Sequence, residues 1–209
     1  KEFDWKAACD QVKDISIPTQ DKPSPEEAKS LQGCSSEDIY YGITRPADPE
    51  KARKCAYVEL DQGDNLVFGG SSILMTIYAN GRGARRNYDL AIKFACQLDG
   101  APAEMEGRIE NLTLKKKTGW NGDNFSLCDD ITSGFMEGHC EAHRERFKQV
   151  ERERKTQGLM AKWSESDRKT FENLRKAADA FFDLRVDNEV DLSGTGRSAF
   201  EIEERRSLE

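Results

Sequence analysis

Apolar positions along the first half of the chain come in short sets spaced for one helical face, broken by glycine, proline and capping residues. Trp5, Ala8 and Val12 predict one helix. Ser24-Pro25-Glu26-Glu27 opens a second, with serine as the cap and proline in the first turn. Two later stretches align at a spacing of 39 residues, Asp48-Pro49-Glu50-Lys51-Ala52 and Asn87-Tyr88-Asp89-Leu90-Ala91. In each, a capping residue leads into a helix with small residues on one face, Ala52 with Ala56 and Ala91 with Ala95. Between them, Gly69-Gly70-Ser71-Ser72 precedes a helix carrying Ile73, Leu74, Ile77 and Tyr78, and Asn80-Gly81-Arg82-Gly83 stops it. Met105, Ile109 and Leu112 mark one more helix, after which Lys115 to Gly122 is expected to be a polar loop separating two halves.

The pattern then lengthens. With Thr132 as the expected cap, Met136, Cys140, His143, Phe147 and Val150 recur at steps of four and three, the spacing of a seam packed along a partner helix. After Gly158 and Trp163, Ser164-Glu165-Ser166-Asp167 reads as a capping box with aspartate in the glutamate place, and Phe171, Leu174, Ala178 and Phe181 form a second seam. A hinge from Asp187 to Gly196 leads to a last helix containing Ala199, Phe200 and Ile202. The expectation is an all-α protein, with helical hairpins of repeat type over residues 1–120 and a long helical hairpin over 121–209.

Composition narrows the function. Only 36% of the 209 residues are hydrophobic, a thin supply for a core of this length. The net charge is −7 and the pI about 5.1, which argues against nucleic acid as a partner and suits a cationic one. No apolar run is long enough to span a membrane. The Glu2-Phe3 and Leu208-Glu209 ends read as cloning remnants and carry no functional argument.

Six cysteines, Cys9, Cys34, Cys55, Cys96, Cys128 and Cys140, are dispersed with no CxxC pair of the kind that zinc or redox sites use. Three disulfides are expected, against the alternative of buried thiols acting as small hydrophobes. Oxidised cysteines place the protein in a periplasm or outside the cell, with an export signal removed. Of fifteen connectivities, Cys9 with Cys34, Cys55 with Cys96 and Cys128 with Cys140 are favoured. The first would staple the two N-terminal helices, and the second would link corresponding helices of the two repeat-like units. The third is geometrically open, because eight helical residues rise about 12 Å and the five preceding residues retrace about 16 Å when extended.

Candidate chemistry is sparse. His139 and His143 lie four apart on one helical face and could chelate zinc, but the glutamate stands two places after the first histidine, off the HExxH register, and no third ligand is assigned. A structural role within the seam is the ordinary reading of His143. The acidic pairs Asp129-Asp130 and Glu203-Glu204 have no positioned cleft; the former complements the positive end of the following helix. The acids between Asp187 and Gly196 miss the EF-hand register, and Gly81-Arg82-Gly83 lacks the strand and lysine of a nucleotide loop. Asn111-Leu112-Thr113 and Asn124-Phe125-Ser126 match glycosylation acceptors only by a short motif. No cofactor, no metal and no enzymatic activity is expected. Trp120, an aromatic in an exposed polar glycine loop, is the candidate binding contact, with folding back onto the core as the equal alternative.

Two resemblances rest on these residues. Tyr78 to Gly83 followed by Asn87 to Ala91 resembles the SEL-like repeats, relatives of tetratricopeptide repeats built from paired antiparallel helices, over about Pro46 to Leu114. Cys128-Asp129-Asp130-Ile131-Thr132 with Met136 and Cys140, the Trp163 turn and the Asn188 to Arg197 segment resemble the N-terminal domain family of the lysozyme inhibitor LprI, over about Cys128 to Arg206. This chain departs from that family's pattern in lacking a further cysteine in its final segment and in carrying the repeat-like half. The resemblance implies a small exported bacterial helical domain that inhibits a lysozyme or another peptidoglycan-cleaving glycosidase. The alternative is a scaffold whose repeat helices hold a protein or peptide partner in the cell envelope, capped by the second half.

Overall fold

The computed structural model describes residues 3–63, 66–190 and 193–209. Among these, the chain forms ten α-helices and one 3-10 turn, with no strand. They fall into two compact units, residues 1–132 and 133–209.

The first unit holds α1 (Trp5–Val12), α2 (Pro25–Ser30), α3 (Ser36–Tyr41), α4 (Pro49–Asp61), α5 (Gly70–Asn80), α6 (Tyr88–Ala95) and α7 (Pro102–Thr118). From α3 to α7 each helix packs on the next in sequence. The spacing of 39 read from the sequence is structural. Gly42 and Gly81 both end a helix in the left-handed conformation, at φ of 73° and 64°. Asp48 and Asn87 both cap the following helix through their side chains. The two capping residues also donate their backbone N–H to equivalent carbonyls, those of Ile39 and Tyr78. Thus α3–α4 and α5–α6 are two copies of one helix–turn–helix unit. Ala52, Ala56, Ala91 and Ala95 are fully buried, as small residues at a close helix contact must be.

The thin apolar supply is concentrated in this unit. Along α5 only Ser71 is not buried, and Ile73, Leu74, Met75, Ile77 and Tyr78 are all nearly inaccessible, the pattern of a helix covered on every side. Its start lies so close to α4 that a Cβ on Gly70 would stand 2.5 Å from the Ala56 carbonyl oxygen.

Two of the three disulfides differ from the expected pairing, and Cys128–Cys140 is as expected. Cys9 bonds Cys96, and Cys34 bonds Cys55. The helix α1 packs on α6 and α7, not on α2, and Lys93 on α6 donates to the carbonyls of Lys13 and Ile15 just beyond α1. Cys34 precedes α3, which Glu59 ties to α4 by accepting from the Ser36 backbone and hydroxyl. The Cys55–Cys96 expectation failed on rotation. Under the 39-residue repeat Cys55 aligns with Phe94, so Cys96 lies two positions on, about 200° round the helix. There are three disulfides and no free cysteine, so the third takes Cys128 and Cys140.

The division between units falls after Thr132, twelve residues beyond the expected boundary at residue 120. Residues 121–132 pack on the first unit: Phe125 and Leu127 are buried, and Asn80 both donates to the Phe125 carbonyl and accepts its N–H, each at 2.9 Å. Asn111 donates to Asp130, and the Thr132 N–H donates to the buried Glu104. The expected loop from Lys115 begins later, because α7 runs to Thr118 and ends at Gly119.

The second unit holds α8 (Gly134–Met160), α9 (Glu165–Glu189) and α10 (Arg197–Leu208). Ser133, not Thr132, caps α8, and Ser164 caps α9 as read. The helix α9 continues through Asp187–Glu189, where a hinge was expected; Asp191 and Leu192 of that hinge lie outside the described residues. Its inner face is also rotated from the expected seam. Phe171, Ala178, Phe182 and Val186 are half-buried, while Leu174 and Phe181 are 64% and 54% exposed.

The apolar core of this unit is small. Among the described residues, Met136, Cys140 and Ala199 are its buried apolar side chains, all near the start of α8 and α10. Charge holds the remainder. On the last turn of α10, Arg205 pairs with Asp179 and Asp183 of α9, while the adjacent Arg206 pairs with Glu141 and Glu145 of α8. Arg185 of α9 reaches Glu204 of α10, 3.1 Å away.

Candidate binding groove on the second unit

Glycines position the groove. Against α8, a Cβ on Gly134 would stand 2.1 Å from the Thr195 carbonyl carbon, and one on Gly138 would stand 2.9 Å from Ser198 Cβ. These two glycines, one turn apart, let the start of α10 lie directly on α8. The step from glycine to full-sized neighbours leaves an open groove of about 580 Å³ lined by Phe135, His139, Ala142, Thr195, Arg197 and Ile202, among others.

Its rim has defined chemistry. Phe135 is 65% exposed, and its ring meets His139 edge-on at 4.5 Å between centroids. Arg197 is exposed and has no ion-pair partner among the described residues. The groove therefore offers an aromatic plate, an imidazole and a free cation on two helices, with little rotamer freedom to lose in the plate.

His143, one turn beyond His139, packs on Phe147 at 5.2 Å. Among the described residues, the one group of His, Cys, Asp and Glu ligand atoms with metal-like spacing is Cys34, Cys55 and Glu59. Both of its sulfurs are in a disulfide, so the group cannot supply thiolates. His139 and His143 do not belong to any such group.

Of the two settings expected for Trp120, exposed contact or side chain folded back, the structure has the second. Trp120 is half-buried, with Arg86 and Lys115 over its ring at 5.6 and 4.1 Å, and Gly122 pressed against it so closely that a Cβ there would lie 2.4 Å from the ring. Arg86 also donates to the carbonyls of Ala79, Asn80 and Gly122, and Tyr88 donates to that of Trp120. The indole closes the turn after α7 onto the second repeat unit. Phe135 was missed as a site residue. The seam was counted from Met136, and no sequence signal separates an exposed phenylalanine at the preceding position from a core one.

A second, smaller pocket of about 400 Å³ lies in the first unit beside Asp21, Tyr78, Arg85 and Arg86. Its floor is a satisfied polar network. Tyr57 and Tyr78 share a hydrogen bond of 2.8 Å, Tyr78 donates to Asp21, and Arg53 donates to the Asp21 carbonyl. Burial pushes the Tyr57 phenol up to about 12 and raises Tyr78 as well, so both are protonated and uncharged at neutral pH. Asp129 is raised by burial, and Asp130 beside it adds to the rise.

No protein-family model, curated protein or solved structure matches the chain.

Proposed function

We propose that this chain is an exported bacterial binding protein that inhibits a lysozyme or another peptidoglycan-cleaving glycosidase, with the Phe135 groove as its contact surface. The exposure of Phe135 beside the unpaired Arg197 carries the reading. Such glycosidases work with two carboxylates across a cleft. An arginine on a helix end supplies the matching charge, and a phenylalanine one turn from His139 supplies an apolar plate for the cleft wall.

Other features agree with it. Of the large apolar side chains that stand exposed, Phe135, Val150, Leu159, Leu174, Phe181, Leu184 and Phe200 belong to the second unit, the part that resembles the inhibitor family. A net charge of −7 speeds encounter with a basic enzyme. Three disulfides suit an oxidising compartment, and no helix among the described residues is long and apolar enough to cross a membrane.

The test is turnover of several lysozyme classes on cell-wall substrate with added oxidised protein. The expected result is loss of turnover in at least one class at micromolar protein, relieved by Phe135→Asp and by Arg197→Glu. Full turnover in every class would overturn the inhibitor reading and favour the scaffold alternative.

A further inference from the structure

The helix α9 carries a second apolar surface on the face next to its half-buried one. Leu174, Ala177, Phe181 and Leu184 recur at steps of three, four and three, and all four are exposed, the leucines at 64% and 63% and the phenylalanine at 54%. Steps of three and four are the spacing of a coiled-coil seam. The polar Thr170 and Asn188 continue the same steps at either end and close the stripe. Over those residues the helix is about 27 Å long.

The spacing of the stripe, with a leucine on either side of its centre, reads the same when turned end for end. If two copies of α9 are laid antiparallel, Leu174 of one meets Leu184 of the other, Ala177 meets Phe181, and Thr170 meets Asn188. Each small residue faces a large one, which is what close packing requires. Charge follows the same symmetry. Lys169 lies beside the start of the stripe and Asp187 on the same flank beside its end; both are exposed, and neither has an ion-pair partner among the described residues. In the antiparallel pair each lysine comes within two residues, about 3 Å along the axis, of the aspartate of the other copy. A parallel pair would set lysine against lysine and aspartate against aspartate.

We propose that the exposed α9 stripe is a self-association surface on which two copies of this chain pair antiparallel. None of the stripe's residues lines the Phe135 groove, so a pair of chains carries two grooves and is a two-headed binder. This raises avidity for any target that presents repeated sites.

Sedimentation velocity on the oxidised full chain across micromolar concentrations tests it. The expected result is a concentration-dependent monomer–dimer equilibrium that Ala177→Glu abolishes, with helicity by circular dichroism unchanged because Ala177 is exposed. Leu184→Lys should do the same. Direction is read from charge: Lys169→Glu and Asp187→Lys should each weaken the dimer about tenfold, and combining them should restore it. A monomer throughout the range would overturn the proposal, as would a dimer untouched by Ala177→Glu and Leu184→Lys. Failure of the combined swap to restore pairing would overturn the antiparallel arrangement.

Discussion

Tyr78 donates its hydroxyl to Asp21 across 2.9 Å, linking the last turn of the most buried helix to the 3-10 turn between α1 and α2. Both repeat copies meet there, because Tyr57 of α4 bonds the same hydroxyl. Tyr78→Phe would remove a hydrogen bond from the Asp21 carboxylate, leaving it the Arg53 ion pair at 3.7 Å, and would take the partner of the buried Tyr57 hydroxyl, so it should cost about 1–3 kcal/mol of stability in a denaturant titration. Tyr57→Phe leaves Asp21 paired with Tyr78 and should cost less.

The same network sets an alkaline limit. Burial raises the Tyr57 phenol to about 12, above the ordinary tyrosine value of 10.0. The folded state therefore binds a proton that the unfolded chain releases first, and the stabilisation is full below about pH 10. It should decline as pH rises toward 12. Unfolding followed at several alkaline pH values checks this, and Tyr57→Phe should flatten the decline.

The two disulfides of the first unit should differ in worth. Cys9–Cys96 closes a separation of 87 residues and Cys34–Cys55 one of 21. In the chain-entropy picture these correspond to roughly 4.5 and 3.4 kcal/mol as upper values. Paired replacement by alanine should therefore lower the melting temperature more for Cys9 with Cys96. Unreduced peptide mapping should return these two pairings.

In the second unit, charge does much of the work that a core does in the first. Glu141 is held below the ordinary glutamate range by the hydrogen bond from Arg144, against the opposing effect of burial, and Arg206 adds to the depression. A depressed folded value gives stability that is present above the ordinary glutamate range and lost as pH falls through the folded value. Acid and high salt should both loosen α8–α10 before the first unit melts, read as loss of amide-exchange protection confined to residues 133–209.

Two glycines of α8 should respond to alanine with opposite signs. At Gly134 a Cβ collides with the Thr195 backbone, so Gly134→Ala should cost about 1–3 kcal/mol. At Gly158 nothing lies within 4 Å, so the gain in helix propensity is unopposed and Gly158→Ala should stabilise by up to about 1 kcal/mol. Thermal melts of both variants make the comparison.

What the sequence disclosed and what it concealed divide along local and nonlocal lines. Helix existence, the caps at Ser24, Asp48, Asn87 and Ser164, and the 39-residue repeat are local, and each is where the residues put it. Disulfide pairing depends on which helices meet, and nothing near Cys9 in sequence announces that α1 docks on α6. The α9 seam was misread because Leu174 and Phe182 sit on neighbouring faces, and periodicity alone does not tell which apolar face is the covered one. Phe135 escaped for a related reason: its exposure depends on how α10 lies on Gly134 and Gly138. Trp120 read equally as a contact or as a side chain folded back onto the core, and Arg86, which covers its ring from a distant turn, is what the local pattern did not supply.

If the Phe135 and Arg197 rim enters the cleft of a peptidoglycan-cleaving enzyme, as proposed, this protein competes with substrate for that cleft. The most direct test is the affinity of the oxidised protein for an inhibited lysozyme, measured with and without a cleft-filling oligosaccharide. Mutual exclusion of protein and oligosaccharide, with binding abolished by Phe135→Asp, is the result expected. Simultaneous binding of both, or a Phe135→Asp variant that binds as tightly as the parent, would contradict it.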